Sequence, residues 1–117
     1  MKLPNGSRAV VDIRKLRDYC LDANSPKGRT KARVFAASLG LTQRDAGFLR
    51  RALLRAATEV ECEPGEADDY GRRYTVDLIV ETARSRQQVR SGWIMRHDED
   101  FPRLTACFVV KSKKRKL

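Results

Sequence analysis

The apolar positions of this chain change their period once. Up to Thr58 they recur three and four residues apart, and beyond it they alternate. Val10-Val11 is a short apolar start, and Asp12 after it is a suitable helix N-cap, with Ile13, Leu16 and Cys20 following at helical spacing. Asn24-Ser25-Pro26-Lys27-Gly28 reads as a loop from its turn-forming residues. A second helix is predicted from Arg29 or Lys31 to Leu39, burying Ala32, Phe35, Ala36 and Leu39, with Gly40 suited to the position just past its end. Thr42 with Asp45 three residues on forms a capping box for a third helix, which runs to Thr58 on a stripe of Ala46, Leu49, Ala52, Leu53 and Ala56.

Four strands are predicted after that. Residues 58–63 read as a short first strand. Residues 73–82 alternate, with Tyr74, Val76, Leu78 and Val80 facing one way and Thr75, Asp77 and Glu81 the other. Residues 88–96 place Val89, Ser91, Trp93 and Met95 together, and residues 103–110 do the same for Leu104, Ala106, Phe108 and Val110. Short connections favour antiparallel pairing. The expected fold class is α+β, with two to three N-terminal helices packed on a four-stranded antiparallel sheet. Residues 1–110 form the single globular domain of that expectation, and residues 111–117 a basic, disordered tether that would attract any polyanion.

Composition narrows the function. The 117 residues hold 25 Lys and Arg against 15 Asp and Glu, a formal charge of +10. That excess suits a polyanionic partner better than a small neutral ligand. No apolar run approaches a membrane span and the N-terminus has no signal-peptide pattern, so a cytoplasmic protein with no membrane partner is expected. The charge is also segregated. Residues 23–58 hold eight bases and only Asp45 as an acid, whereas residues 59–71 hold six acids and no base. Cys20, Cys62 and Cys107 are too few and too widely spaced for a disulfide framework, and His97 is the only histidine, so no metal site and no cofactor are expected. A Cys107–His97 nucleophile pair is conceivable, against three cysteines that act as small buried hydrophobes.

Four groups of residues are candidates for chemistry. On the third helix Arg44, Arg51 and Arg55 share a face with Phe48, an arrangement that can hold phosphates and stack a base, or else is a solvated face with one apolar residue. At the start of the second helix, Gly28, Arg29, Thr30, Lys31 and Arg33 offer a close backbone approach, a hydroxyl and cations for a phosphate, or are an ordinary helix start. On the sheet, Tyr74, Arg90, Ser91, Trp93, Arg103 and Thr105 could cluster. RNA cleavage without metal needs a base, an acid and cations for the phosphorane; Lys31, Arg90 and Arg103 fit the last need, while Ser91, Thr105 and Tyr74 could relay a proton. The competing reading makes Trp93 a core aromatic, and Ser91 and Thr105 polar strand residues. Last, His97 is either the acid–base residue or a plain loop histidine.

Several segments of the chain are familiar as a set. They are Leu3-Pro4-Asn5, Ala9-Val10-Val11-Asp12-Ile13-Arg14-Lys15-Leu16-Arg17-Asp18-Tyr19-Cys20-Leu21, Lys31-Ala32-Arg33-Val34-Phe35 and Leu39-Gly40-Leu41-Thr42 in the helical half. In the sheet half they are Tyr70-Gly71-Arg72-Arg73-Tyr74-Thr75-Val76-Asp77, Arg90-Ser91-Gly92-Trp93-Ile94 and Glu99-Asp100-Phe101-Pro102-Arg103-Leu104-Thr105. Together they resemble an uncharacterised bacterial family whose members stand beside a small partner gene or end polymorphic toxins. That setting is similar to the barnase–EndoU–colicin–RelE group of metal-independent ribonucleases. The resemblance implies a toxin that cleaves tRNA or other structured RNA, in the bacterial cytoplasm or delivered into a target cell, and a small acidic antitoxin or immunity protein as partner. Thr30 departs from the family pattern, which implies a histidine directly before Lys31; if that histidine is the general base, this chain is weakened or His97 substitutes. The alternatives are a nucleic-acid-binding module without catalysis and a protein-interaction domain.

Overall fold

The computed structural model describes residues 1–110, so the expectation for the basic tail lies outside the described residues. Side-chain caps mark the start of the first helix and of the turn that leads into the third. Helix α1 (Ile13–Lys15) continues in wider π-helical turns through Leu16–Cys20. The Asp12 carboxylate accepts the Arg14 N–H at 3.0 Å and grips the Arg14 guanidinium at 3.1 and 2.9 Å. Those bonds hold the Asp12 carboxyl down at about 2. Helix α2 (Arg29–Val34) widens in the same way through Phe35–Leu39 and stops at Gly40, whose φ of 71° is the left-handed conformation that glycine adopts without strain. A 3-10 turn, Gln43–Asp45, leads into helix α3 (Ala46–Glu59), and the Asp45 carboxylate accepts the Thr42 N–H at 2.8 Å.

Strands β1 (Cys62–Asp68), β2 (Gly71–Glu81), β3 (Arg86–Arg96) and β4 (Pro102–Val109) form one antiparallel meander in chain order. The fold is thus α+β, three N-terminal helices on an open four-stranded sheet. Two expectations need correction. The first strand does not begin at Thr58, because the buried stripe of α3 continues through Ala56 and Ala57 and keeps residues up to Glu59 helical. The acidic segment forms β1 instead, with a register irregularity between Pro64 and Ala67. Asp68 closes its hairpin by accepting the Tyr70 and Gly71 N–H groups at 2.8 and 3.2 Å.

The second correction concerns β4. Gly92 pairs with Ala106 but Trp93 pairs with Leu104, so Thr105 is the extra residue of a bulge. The bulge reverses the parity of all that follows. Leu104, Cys107 and Val109 turn inward, and Phe108 turns outward, where simple alternation from Leu104 would have buried it.

The helices cover one face of the sheet. Leu16, Cys20, Phe35, Leu39, Leu49 and Leu53 pack there against Val76, Leu78, Val80, Val89 and Trp93. Ser91 is the buried polar residue at the centre. Its hydroxyl donates to the Val76 carbonyl at 2.8 Å and accepts from Trp93 Nε1 at 2.9 Å. The first residues of the chain reach both sides of the sheet. The Cys62 N–H donates to the Met1 carbonyl at 2.7 Å, and Val10 lies parallel to β4, bonded to the Pro102 carbonyl at 2.9 Å and the Leu104 N–H at 3.0 Å. The described residues contain no helix long and apolar enough to cross a membrane.

Two outcomes test this account. Ser91→Ala strands the indole N–H and costs about 1–3 kcal/mol, read as a lower urea midpoint; an unchanged midpoint would show that the bond to Trp93 is not needed. Acid should also destabilise the fold. Asp12 titrates lower folded than unfolded, as do Asp68, Glu99 and Asp100 beside their arginines or main-chain donors. Their stabilisation is present above about pH 4 and fades as the pH falls toward about 2. Thermal unfolding midpoints across that window should fall on acidification, and a rise would contradict the sign.

Candidate nucleic-acid interface

The two faces of this domain differ in how their cations are held. On the open face of the sheet, the β2–β3 register sets Arg90 directly opposite Asp77. Two parallel hydrogen bonds of 2.9 and 3.0 Å join them. Glu61, Glu63, Thr75 and Asp77 surround Arg90 in one concavity of about 650 Å³, which is an acidic lining for a phosphate to meet. Arg103 is neutralised in the same way, by Glu99 at 2.8 Å through both nitrogens, and it also rests 5.1 Å from the Phe101 ring. Arg103 pairs with Ile94, about 13 Å along the sheet from Arg90 at the usual rise per strand residue. Lys31 reaches from α2 to the outward Phe108, 5.1 Å from its centroid, and Phe108 pairs with Arg90. Lys31 meets the Phe108 ring, whereas the Arg90 guanidinium turns to Asp77 on the other flank of β3, and Arg103 is remote. The three cations do not close on one phosphate cradle.

Other expected site residues are withdrawn from solvent altogether. Ser91 and Trp93 are completely buried, because β3 must turn Val89, Ser91 and Trp93 into the helices. Neither can relay a proton to RNA or stack on a base, and the bland alternative is the correct one for both. Tyr74, cross-strand partner of Trp93, is half-buried against the core. Cys107 is buried, and the neighbouring Cys20 together with that burial pushes its thiol up. His97 is exposed at the far end of β3, where Nε2 lies 2.9 Å from the Asp68 carbonyl, so no Cys107–His97 pair exists. Gly28 serves a contact within the chain rather than a ligand. A Cβ there would come within 2.0 Å of the Tyr19 carbonyl oxygen. Arg29, Thr30 and Arg33 are exposed on α2.

Arg14 and Arg17 in the first helical segment are paired with Asp12 and Asp18, whereas α3 and the turn before it keep their charge available. Arg44, Arg51 and Arg55 are exposed and have no carboxylate partner among the described residues. Arg44 lies in the 3-10 turn before α3, so its phase on the helix is not the one that ideal spacing assigns. Arg51 and Arg55 keep that spacing and line one concavity with Phe48, Ala52, Ile79, Val80 and Glu81. Phe48 is 39% exposed and Ile79 53% exposed. Ile79 was not singled out from the sequence, although an isoleucine among Thr75, Asp77 and Glu81 on the polar face of β2 is a visible anomaly. Tyr70, 71% exposed, was missed too; it lines a concavity on the open sheet face with Arg73, Ile94, Arg96 and Thr105.

Among the described residues no cluster of histidine, cysteine and carboxylate side chains could hold a metal ion. A comparison with curated proteins finds no match. The capped helices, the meander and the cation-bearing face of α3 all fall within residues 2–111, which match the model of a domain of unknown function (DUF6883), and the chain belongs to that family.

Proposed function

We propose that this domain binds nucleic acid, RNA in the first place, along the exposed face of α3. The observation that carries the reading is the pairing of Arg51 and Arg55, exposed and without carboxylate partners among the described residues, with the exposed ring of Phe48. Guanidinium groups without an internal counter-ion gain most from phosphate, and an aromatic ring beside them offers a stacking surface to an unpaired base. The surplus of +10 steers the polyanion, and exposed Arg44 in the turn before α3 adds to the charge at that end.

Cleavage of the bound RNA is the second reading. What favours it is the open-face concavity of about 300 Å³ that gathers Tyr70, Thr105, Arg73, held by Asp68 at 3.0 Å, and Arg96, which Glu99 approaches only to 3.8 Å, with His97 following Arg96. A phenol, a hydroxyl, an imidazole and two guanidinium groups are the types that metal-independent phosphoryl chemistry requires.

Binding of a fluorescent single-stranded RNA should weaken steeply with salt. Arg51→Ala and Arg55→Ala should each lower the slope of log affinity against log salt by about 1. Phe48→Ala should cost about 1 kcal/mol or more at any salt concentration. A flat salt response, or a slope unmoved by both arginine variants, would remove the binding reading. Incubation of RNA in EDTA with mapping of the product ends tests the second. Cleavage abolished in Thr105→Val or His97→Ala supports it, whereas intact RNA leaves binding alone.

A further inference from the structure

We infer that the uncovered end of β2 is a docking edge for an extended acidic segment of a partner protein, which joins the sheet as an added strand. This goes beyond the RNA reading by adding to Arg51 and Arg55 a second set of groups, the main-chain N–H and C=O of Ile79 and Glu81.

Most of the sheet's exposed edge is protected. Val10 covers the start of β4, at Arg103. The outer edge of β1 carries Glu63, Pro64, Glu66 and a register irregularity, features that discourage another strand. The end of β2 has no such protection. β1 pairs with β2 only as far as Val76, while β2 runs on to Glu81. The direction of its main-chain groups follows from the ladder. The Thr82 N–H bonds to the Ser85 carbonyl, so Thr82 and, by alternation, Val80 and Leu78 face β3. Gln88, opposite Ile79, directs its carbonyl to Val110 on the β4 side, which agrees. Ile79 and Glu81 therefore point their N–H and C=O away from β3, and no main-chain partner meets them among the described residues.

A groove runs along this edge. Three concavities share their walls. One holds Leu39, Leu41, Phe48, Glu81 and Arg84, the next Phe48, Arg51, Arg55, Ile79 and Glu81, and the third Ala52, Arg55, Ala56, Val60 and Ile79. Their volumes are about 490, 290 and 200 Å³. Residues 78–82 span about 13 Å at strand rise, room for roughly five residues of an added strand. Such a strand would complete the hydrogen bonds of Ile79 and Glu81 and cover Phe48 and Ile79 with its apolar side chains. The charge of the wall selects its composition. Arg51 and Arg55 face Glu81 alone in the middle concavity, with Arg84 and Asp45 beyond one end and Glu59 beyond the other, so a segment alternating acidic and apolar residues, its acids over the middle, complements it. A second copy of a +10 chain would be repelled. RNA can use Arg51 and Arg55 but has no strand to offer the edge, so peptide and RNA compete for the same guanidinium groups.

The test uses the full chain and a capped ten-residue peptide alternating Val and Glu. Saturation should slow hydrogen exchange at the Ile79 and Glu81 amides at least tenfold. N-methylation of alternate peptide amides should abolish binding, and a Val/Lys peptide should not bind. Ile79→Pro removes an N–H that makes no bond to β3; it should lose the peptide and keep RNA. If that variant does not fold, the methylated peptide makes the same distinction. Binding without protection of Ile79 and Glu81, or binding indifferent to methylation, overturns strand addition in favour of a charge contact alone. Failure of the peptide with salt-sensitive RNA binding retained overturns the docking edge and leaves the RNA reading standing; loss of RNA binding with the peptide protected does the reverse.

Discussion

Eleven consecutive cross-strand pairs join β2 to β3, from Gly71–Arg96 to Glu81–Arg86, without a slip. A displacement of one residue in that ladder would exchange the two faces of both strands. In the observed register Val76, Leu78 and Val80 lie with Val89, Ser91 and Trp93 under the helices, while Asp77 lies against Arg90 in front. Gly71 anchors one end. Its φ of 149° and its approach to the Met95 carbonyl leave no room for a Cβ, which would sit 2.1 Å from that oxygen. At the other end the Thr82–Ser85 bond and the Thr82 hydroxyl, donating to the Leu39 carbonyl at 2.8 Å, tie the turn to the end of α2.

The register also divides the charges by function. It neutralises Arg90 with Asp77, and the β3–β4 connection does the same for Arg103 with Glu99. Such exposed pairs contribute little stability. Their larger effect is on the surface potential, because each removes a cation from the set open to a polyanion. Glu61 and Glu63 line the open sheet face near Arg90. Arg51 and Arg55 face a concavity in which Glu81 is the one carboxylate. A chain of +10 thus acquires a mixed sheet face and a positive helical face, and the proposed ligands follow the second.

Much of the fold was legible because its signals are local. Asp12, Gly40 and the Thr42–Asp45 box mark helix ends through bonds within a few residues, and the alternation through Tyr74, Val76, Leu78 and Val80 needs no partner to be read. The start of β1 was not legible, since Thr58 satisfies a helix and a strand equally and the packing of Ala57 decides. The parity of β4 was not legible either. Thr105 is an ordinary strand residue, and only pairing with Gly92 and Trp93 on β3 makes it the bulge that turns Phe108 to Lys31. For the candidate site, the stripe of Phe48, Arg51 and Arg55 could be read from helical spacing, whereas the sheet cluster could not be assembled without the register.

The sequence by itself determined the element types, the order of two to three helices before four strands and the excess of positive charge, because periodicity, capping and net charge are properties of neighbours along the chain. The tertiary structure decided which cations stay available and which edge stays open. Both depend on distant pairings, Asp77 with Arg90, Glu99 with Arg103, and a β1 that stops at Val76 while β2 continues. An arginine written in a sequence is a charge, and what it can bind depends on whether folding has already given it a carboxylate.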